Sequence, residues 1–237
     1  MKTGYPLKQA IIGWDTSTWG QAIDFWEQFL PPTLKGWQVL ELGAGAGGLS
    51  LYFALQGAHV LCSDLTHPEV RAAPLHRRYG QECIQYQALD ALALDLPDHS
   101  QDLVVFKSVM GGVGKQALHN PRMQMLGEIL RVLKPGGWLC FAENLRGAPW
   151  NPWLRQHFVP WSQTWHYLSL PELQALMQSF PNWHYQTTGL TSLFGRNERN
   201  RQQLARLDHW LAPLTPATFH TCVMVVAQTP TQARVHS

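Results

Sequence analysis

The sequence predicts an α/β fold: a mostly parallel sheet with helices on both faces. Three observations carry this. Short β-rich runs alternate with helical patterns through the first 144 residues, which is how strand–helix–strand crossovers read. The first run ends in a glycine-rich loop that opens a helical stretch. The chain has 237 residues, which suits one α/β domain with an elaborated end better than a small domain or two full ones. Such a length buries a core without disulfides or metals.

The elements follow in order. Residues 16–30 read as a helix, with Ser17 or Thr18 as its cap and Trp19, Ala22, Ile23, Trp26, Phe29 and Leu30 at helical spacing. Pro31-Pro32 ends it. Residues 37–42 form a buried strand, and the helix after the glycine loop stops near Gly57. Residues 58–64 are a second strand. Thr66 with Glu69 suggests a capping box for a helix that Pro74 interrupts. Strands follow at 83–89 and 102–107, and a helix at 117–133. Lys134-Pro135-Gly136-Gly137-Trp138 reads as a turn into a fifth strand, 138–144. Residues 147–168 hold three prolines and four tryptophans. They are too irregular for an element and too apolar for a linker, so an insertion over the carboxyl edge of the sheet is expected. A helix at 169–180 capped by Ser169, a strand at 183–190, a polar-faced helix at 196–211 and a last strand at 219–228 complete the chain, and the tail after Gln228 is expected to fray.

Composition narrows the function. Hydrophobic residues make up 45% of the chain, which excludes disorder. Charged residues are only 14%, and Lys+Arg (18) nearly balances Asp+Glu (16), so a nucleic-acid surface is not expected. Cys62, Cys83, Cys140 and Cys222 form no close pair and read as reduced thiols of a cytoplasmic protein. Neither a signal peptide nor a transmembrane run is evident.

The strongest motif is Glu41-Leu42-Gly43-Ala44-Gly45-Ala46-Gly47-Gly48, between a strand and a helix. Glycines there allow a tight turn and close backbone approach, and the helix N-terminus behind them favours negative charge. The string also satisfies GxGxxG, which does not separate dinucleotides from other adenosine cofactors. The acids do. Glu41 suits a ligand with a cationic amine. Asp64 ends the second strand, where an acid can accept from both ribose hydroxyls. Asp90 closes the third, where a carboxylate can hold an adenine amino group. Each has a plainer reading as well: Asp64 as a helix cap, Asp90 as a solvated loop acid.

VLELGAGAGG, LCSDLT, the Asp90 step and LRVLKPGGWL together resemble the class I S-adenosylmethionine-dependent methyltransferases, over roughly residues 14–144. The resemblance implies a Rossmann-like seven-stranded sheet with one antiparallel strand near the C-terminus. It implies S-adenosyl-L-methionine as cofactor and S-adenosyl-L-homocysteine as product. By position, Glu41, Gly43, Ala44, Gly45 and Gly47 would flank the methionine part, Asp64 and Leu65 the ribose, and Asp90 with Ala91 the adenine. Lys107 and Ser108 would lie beneath the sulfonium. Thr18-Trp19-Gly20 ahead of the loop is similar to the branch that methylates protein lysines, in which the tryptophan contacts cofactor. Trp14 and Trp19 are therefore either cofactor contacts or core residues of the first helix. Phe106-Lys107-Ser108-Val109-Met110 departs from that branch's strand-four motif, and LKPGGW looks like the small-molecule enzymes. No Asn/Asp-Pro-Pro-Tyr sequence points to DNA-base methylation.

This gives one domain over 1–230, with a cofactor-binding half at 14–144, substrate-side insertion and cap elements at 145–215, and a flexible tail at 231–237. The leading expectation is methyl transfer to O or N of a small, partly apolar molecule. A protein side chain as acceptor, a nicotinamide-dependent oxidoreductase and a non-catalytic cofactor-binding subunit are the alternatives. Trp150, Trp153, Trp161 and Trp165 either line a substrate pocket or cover the sheet edge. His119, His157, His166, His184 and His209 lack metal-site spacing and read as surface or core histidines, and no metal is expected. His157, His166 and Asn144 are the candidates for holding the acceptor. The arginines of 196–206 read as a solvated face. Neither stable membrane insertion nor a particular oligomeric state is indicated.

Overall fold

A computed structural model describes residues 5–113, 120–158, 165–191, 194–195 and 197–231. His119, Trp161 and residues 232–237 lie outside them. The described elements run α1 (Tyr5–Ile12), α2 (Thr16–Trp19), α3 (Gln21–Trp26), β1 (Gln38–Leu42), α4 (Gly48–Ala54), β2 (His59–Asp64), α5 (Pro68–Arg78), β3 (Gln85–Ala88), β4 (Gln101–Lys107), α6 (Pro121–Val132), β5 (Leu133–Asn144), α7 (Asn151–Phe158), α8 (Leu170–Leu176), β6 (Asn182–Thr188), α9 (Glu198–Leu211) and β7 (Cys222–Gln228).

The strands form one sheet in the order β3-β2-β1-β4-β5-β7-β6. The first five pair in parallel, and β7 runs antiparallel to both β5 and β6. Successive residues of the central strands supply two cores. Val39, Leu103, Val105 and Met224 face α3 and α4, while Leu40, Val104, Phe106 and Val225 face α6 and α8. A strand buried on both faces must be apolar at every position, which is why these runs show no alternation. Trp26 ties the N-terminal helices to the sheet through its indole N–H, which donates to Val225 O at 2.9 Å. The chain moves outward from β1 to β3, then returns to place β4 on the other side of β1. That reversal opens a crevice at the carboxyl ends of β1 and β4.

Five local expectations are corrected. The helix expected over 16–30 is split into α2 and α3 at Gly20, and its cap is the left-handed Asp15 (φ 45°), not Ser17 or Thr18. Glycine is the weakest helix former short of proline, and Thr16 O and Lys8 crowd the place where a Cβ would stand at Gly20. Helix α5 starts after His67, without the Thr66–Glu69 box, and passes through Pro74. Val70 and Pro74 are both exposed, so the carbonyl deprived of its N–H partner faces water. The Lys134–Gly137 turn is instead a bulged part of β5: Gln101 pairs Leu133 and Leu103 pairs Trp138, so β5 carries the extra residues. Residues 151–158 form a regular helix, α7, which accommodates Pro152 in its first turn. Thr229 and Pro230 are not frayed: Thr229 Oγ1 donates to Lys134 O at 2.8 Å and Gly136 N to Pro230 O at 3.0 Å.

Candidate active site

The glycine loop crosses the crevice with Gly43, Gly45 and Gly47 all at positive φ. They do different work. A Cβ on Gly43 would meet Val109 Cγ2 at 2.6 Å, and one on Gly47 would meet His76 Nε2 at 2.5 Å. These two let the loop pack against its neighbours. Gly45 has only Arg71 Nη2 within reach, at 3.8 Å, so its face of the loop is open. Asp64, at the end of β2, accepts from Gly45 N at 2.9 Å through Oδ2 and from Leu65 N at 2.8 Å through Oδ1. A carboxylate has about four lone-pair positions, so it braces the loop and keeps acceptors free. Leu65 beside it is exposed. His76, unremarked in the sequence, holds the loop from behind: its ring nitrogens lie 2.8 Å from Gly47 O and 2.7 Å from Tyr86 Oη.

Glu41 turns one carboxylate oxygen toward α4. Its Oε2 accepts from Ser50 N at 2.7 Å and Ser50 Oγ at 2.5 Å, and the residue is 4% exposed. Burial raises its pKa to about 7, against those hydrogen bonds and the nearby Lys107. A second buried carboxylate, Glu143 at the end of β5, accepts from Val109 N at 2.9 Å, Met110 N at 2.8 Å and Asn144 N at 2.8 Å. It shapes the loop after β4, and burial lifts its pKa to about 7 as well. Within that loop Ser108 takes a left-handed conformation, φ 54°. Its Oγ accepts from Asn144 Nδ2 at 3.0 Å.

Lys107 ends β4 with its ammonium 5.2 Å from the ring centres of both Trp14 and Trp19, a double cation–π seat. Burial lowers its pKa, opposed by Cys222, Glu41, Glu143 and Asp15 around it. Asp15 is 3% exposed, and its pKa is raised, chiefly by burial. Asp15 Oδ1 and Thr16 Oγ1 are buried without a hydrogen-bond partner. Glu198 of α9 clamps this turn, accepting from Asp15 N at 3.1 Å and Thr16 N at 2.8 Å. The structure thus gathers Trp14, Trp19, Lys107, Ser108 and Asn144 near the carboxyl ends of β4 and β5. Asp90 and Ala91 follow β3, and Asp90 Oδ1 accepts from Leu92 N at 2.9 Å. His166 joins the β4 loop, its N–H donating to Gly111 O at 2.9 Å. His157 stands apart: it is exposed, with Nδ1 2.8 Å from Trp153 O in its own helix. His184 stacks on Phe29. Among the described residues no group of three His, Cys, Asp or Glu could hold a metal ion.

Glu143, Asp15, Thr16 and His76 belong to this constellation without any motif in the sequence. The one available signal is Glu143-Asn144 closing a strand at the functional edge.

Residues 40–141 match a family described as a methyltransferase domain. The fold is similar to that of Haemonchus contortus phosphoethanolamine N-methyltransferase 2, solved with S-adenosyl-L-methionine: TM-score 0.63, 16% identity, 94% of this chain and 56% of that one. Residues 40–141 thus carry a methyltransferase domain, and the resemblance to the class I S-adenosylmethionine-dependent methyltransferases is supported by both comparisons. An uncharacterized methyltransferase of Mycobacteroides abscessus is 34% identical over 116 residues, covering 48% of this chain and 42% of that protein. A ubiquinone biosynthesis O-methyltransferase of Bradyrhizobium sp. is 30% identical over 141 residues, 55% of this chain and 53% of that one. The chain therefore spans about half the length of the curated relatives it matches. No helix of the described residues is long and apolar enough to cross a membrane.

Proposed function

We propose that this methyltransferase transfers a methyl group from S-adenosyl-L-methionine to an O or N atom of a small, partly apolar molecule, releasing S-adenosyl-L-homocysteine. The observation that carries the reading is Asp64: a carboxylate at the end of β2, hydrogen-bonded to Gly45 N with acceptor capacity left, beside the β1 edge of the crevice where the strand order reverses. Such a group accepts from vicinal ribose hydroxyls. Gly45 leaves room for the ligand backbone, and Asp90 with Ala91 would bound the adenine. Trp14, Trp19, Lys107 and Ser108 would surround the methionine end, with Glu41 as charge behind it.

The cofactor supplies an activated methyl on a sulfonium. The chain supplies alignment, worth on the order of 7–11 kcal/mol of barrier at best. It also supplies a field. Asp15, Glu41 and Glu143 lie around one ammonium, Lys107, and in their ionised forms these acids would favour a sulfonium over the neutral thioether product. Asn144 and His166, on the β4 and β5 side, are the residues proposed to hold the acceptor. The O-methyltransferase relative and the aromatic residues Trp165 and Tyr167 beyond β5 support a small acceptor with an apolar body. Nothing in the antiparallel β7 favours the six-strand parallel sheet of a nicotinamide enzyme.

Calorimetric titration of S-adenosyl-L-homocysteine into the protein tests this. Binding is expected for wild type and weakened at least tenfold in Asp64→Ala, the scale of one lost charge-assisted hydrogen bond. Binding of NAD(H) or NADP(H) instead, or an unaffected Asp64→Ala, would overturn the reading. Incubation with labelled cofactor and lysate separates acceptors: label in the low-mass fraction supports the proposal, and label in protein overturns its small-molecule part.

A further inference from the structure

Beyond the carboxyl end of β5 lies an open cleft of about 340 Å³, bounded by Arg146, Arg155, Gln156, Trp165, His166 and Tyr167. Its charge is one-sided. No residue lining it is acidic. Glu172 borders the cleft without lining it: its Oε2 accepts from Ser169 N and Oγ in the cap of α8 and from Arg146 Nη2 at 3.2 Å, and its Oε1 lies 3.8 Å from His166 Nε2.

Arg155 is the decisive group. It is 3% exposed, yet no carboxylate among the described residues pairs with it. Its Nη1 donates to Leu145 O at 2.8 Å and Arg146 O at 3.0 Å, and its Cζ lies 3.8 Å from the Tyr167 ring centre. Two carbonyls and a ring orient the guanidinium without neutralising it. A buried charge without a counter-ion is costly, and the cleft beside it is where one can enter. Burial, and after it the guanidinium groups of Arg122 and Arg146, lower the His166 pKa, against Glu172. The location joins the cleft to the site. Arg155 fastens the two residues that follow Asn144, and His166 bonds the loop that follows β4.

We propose that this cleft is an anion subsite, in which Arg146, Arg155 and His166 hold a carboxylate or phosphate group of the methyl acceptor while Trp165 and Tyr167 flank its apolar body. The proposal rests on the methyltransferase reading for the word acceptor, and on the cleft alone for the anion. Planar, forked guanidinium groups favour two-oxygen anions of this kind.

The test titrates benzoate, phenyl phosphate and neutral benzamide, separately, into protein saturated with S-adenosyl-L-homocysteine. At least one anion is expected to bind about tenfold or more tighter than benzamide, the scale of one charge-assisted hydrogen bond. Which anion binds tighter tells carboxylate from phosphate. Arg146→Gln, at an exposed position, should weaken the anion about tenfold and leave S-adenosyl-L-homocysteine binding unchanged. Arg155→Lys keeps the charge but loses the fork and should weaken it too, with thermal melting reporting whether the variant folds. Equal binding of all three probes, no binding of any, or anion affinity unmoved in Arg146→Gln overturns the subsite. Anion preference in a protein that binds no S-adenosyl-L-homocysteine would keep the subsite and overturn the methyltransferase reading.

Discussion

The half of the molecule up to Asn144 and the stretch from Leu145 to Thr221 are held in different ways. In the first, fully buried side chains are overwhelmingly aliphatic and aromatic, on both faces of the sheet. In the second, α8 joins the hydrophobic packing through Leu170, Leu173 and Leu176, whereas α7 and α9 are anchored by buried polar groups. Over residues 151–157 of α7 the buried residues are Asn151 and Arg155, and that of α9 is Asp208. Asp208 accepts from Leu190 N at 2.9 Å and from Thr191 N and Oγ1, and Arg155 grips the carbonyls of Leu145 and Arg146. His220 lies between Thr187 and Thr215 hydroxyls. Hydrophobic burial is non-directional and fixes a scaffold, whereas hydrogen bonds fix a segment at chosen points. The scaffold carries the cofactor loop, and the pinned segments carry the surface that would select the acceptor, as loops set on a rigid frame generally do.

Two tryptophans put the largest number on that contrast. Trp26→Ala removes a side chain 1% exposed that also donates to Val225 O. The expected cost is about 3–5 kcal/mol. Trp210→Ala removes one that is 77% exposed, on α9, and should stay within about 0.5 kcal/mol of wild type. Denaturant unfolding of both variants measures the gap. Similar losses would mean that the second region is a hydrophobic unit after all.

The same contrast explains what could be read from the sequence. The strands of the first half were legible because burial on both faces writes continuous apolar runs. The glycine loop was legible because a turn, a close approach and a helix start impose fixed spacing. Asp64 was legible because it ends a strand. Glu143, Asp15 and Arg155 were not, because a single polar residue gains its role from what tertiary packing brings to it. Helix α7 was hidden by Pro152 with Trp150 and Trp153 on either side of it, which read as irregularity although a proline fits a first turn. Gly20 was read inside a helix because the apolar spacing runs through it. Lys8, which packs where a Cβ at position 20 would stand, comes from a separate helix, so the need for glycine there is not written locally in the sequence.

The buried carboxylates at the crevice are the exception within the hydrophobic half, and pH sharpens the point. Burial raises Glu143 from an ordinary value near 4.5 to about 7. Between those values the unfolded chain releases a proton that the folded chain keeps. Its contribution is therefore fully present below about 4.5, shrinks as pH rises and is lost above about 7. The scale is about 3 kcal/mol at most. Glu143→Gln, which holds no titrating proton, should flatten the stability profile across this window relative to wild type. Buried His76, with its pKa lowered, slopes the other way in both proteins, so the difference between the two profiles isolates the carboxyl group. Parallel profiles would show that Glu143 is ionised throughout.

The smallest effect probes a single pin. Asp208 is buried and receives three donors from residues 190 and 191, so Asp208→Ala leaves those donors without their acceptor. Each buried donor stranded in this way costs about 1–3 kcal/mol, but the segment lies outside both hydrophobic clusters and can turn its amides to water. The loss should therefore sit near the lower end, about 1–2 kcal/mol, and should be local. Amide exchange of Leu190 and Thr191 is expected to quicken while that of β4 and β5 stays at the wild-type rate. If β4 and β5 quicken equally, the pinned segments and the sheet unfold as one cooperative unit, and the division between a packed scaffold and a pinned acceptor surface fails.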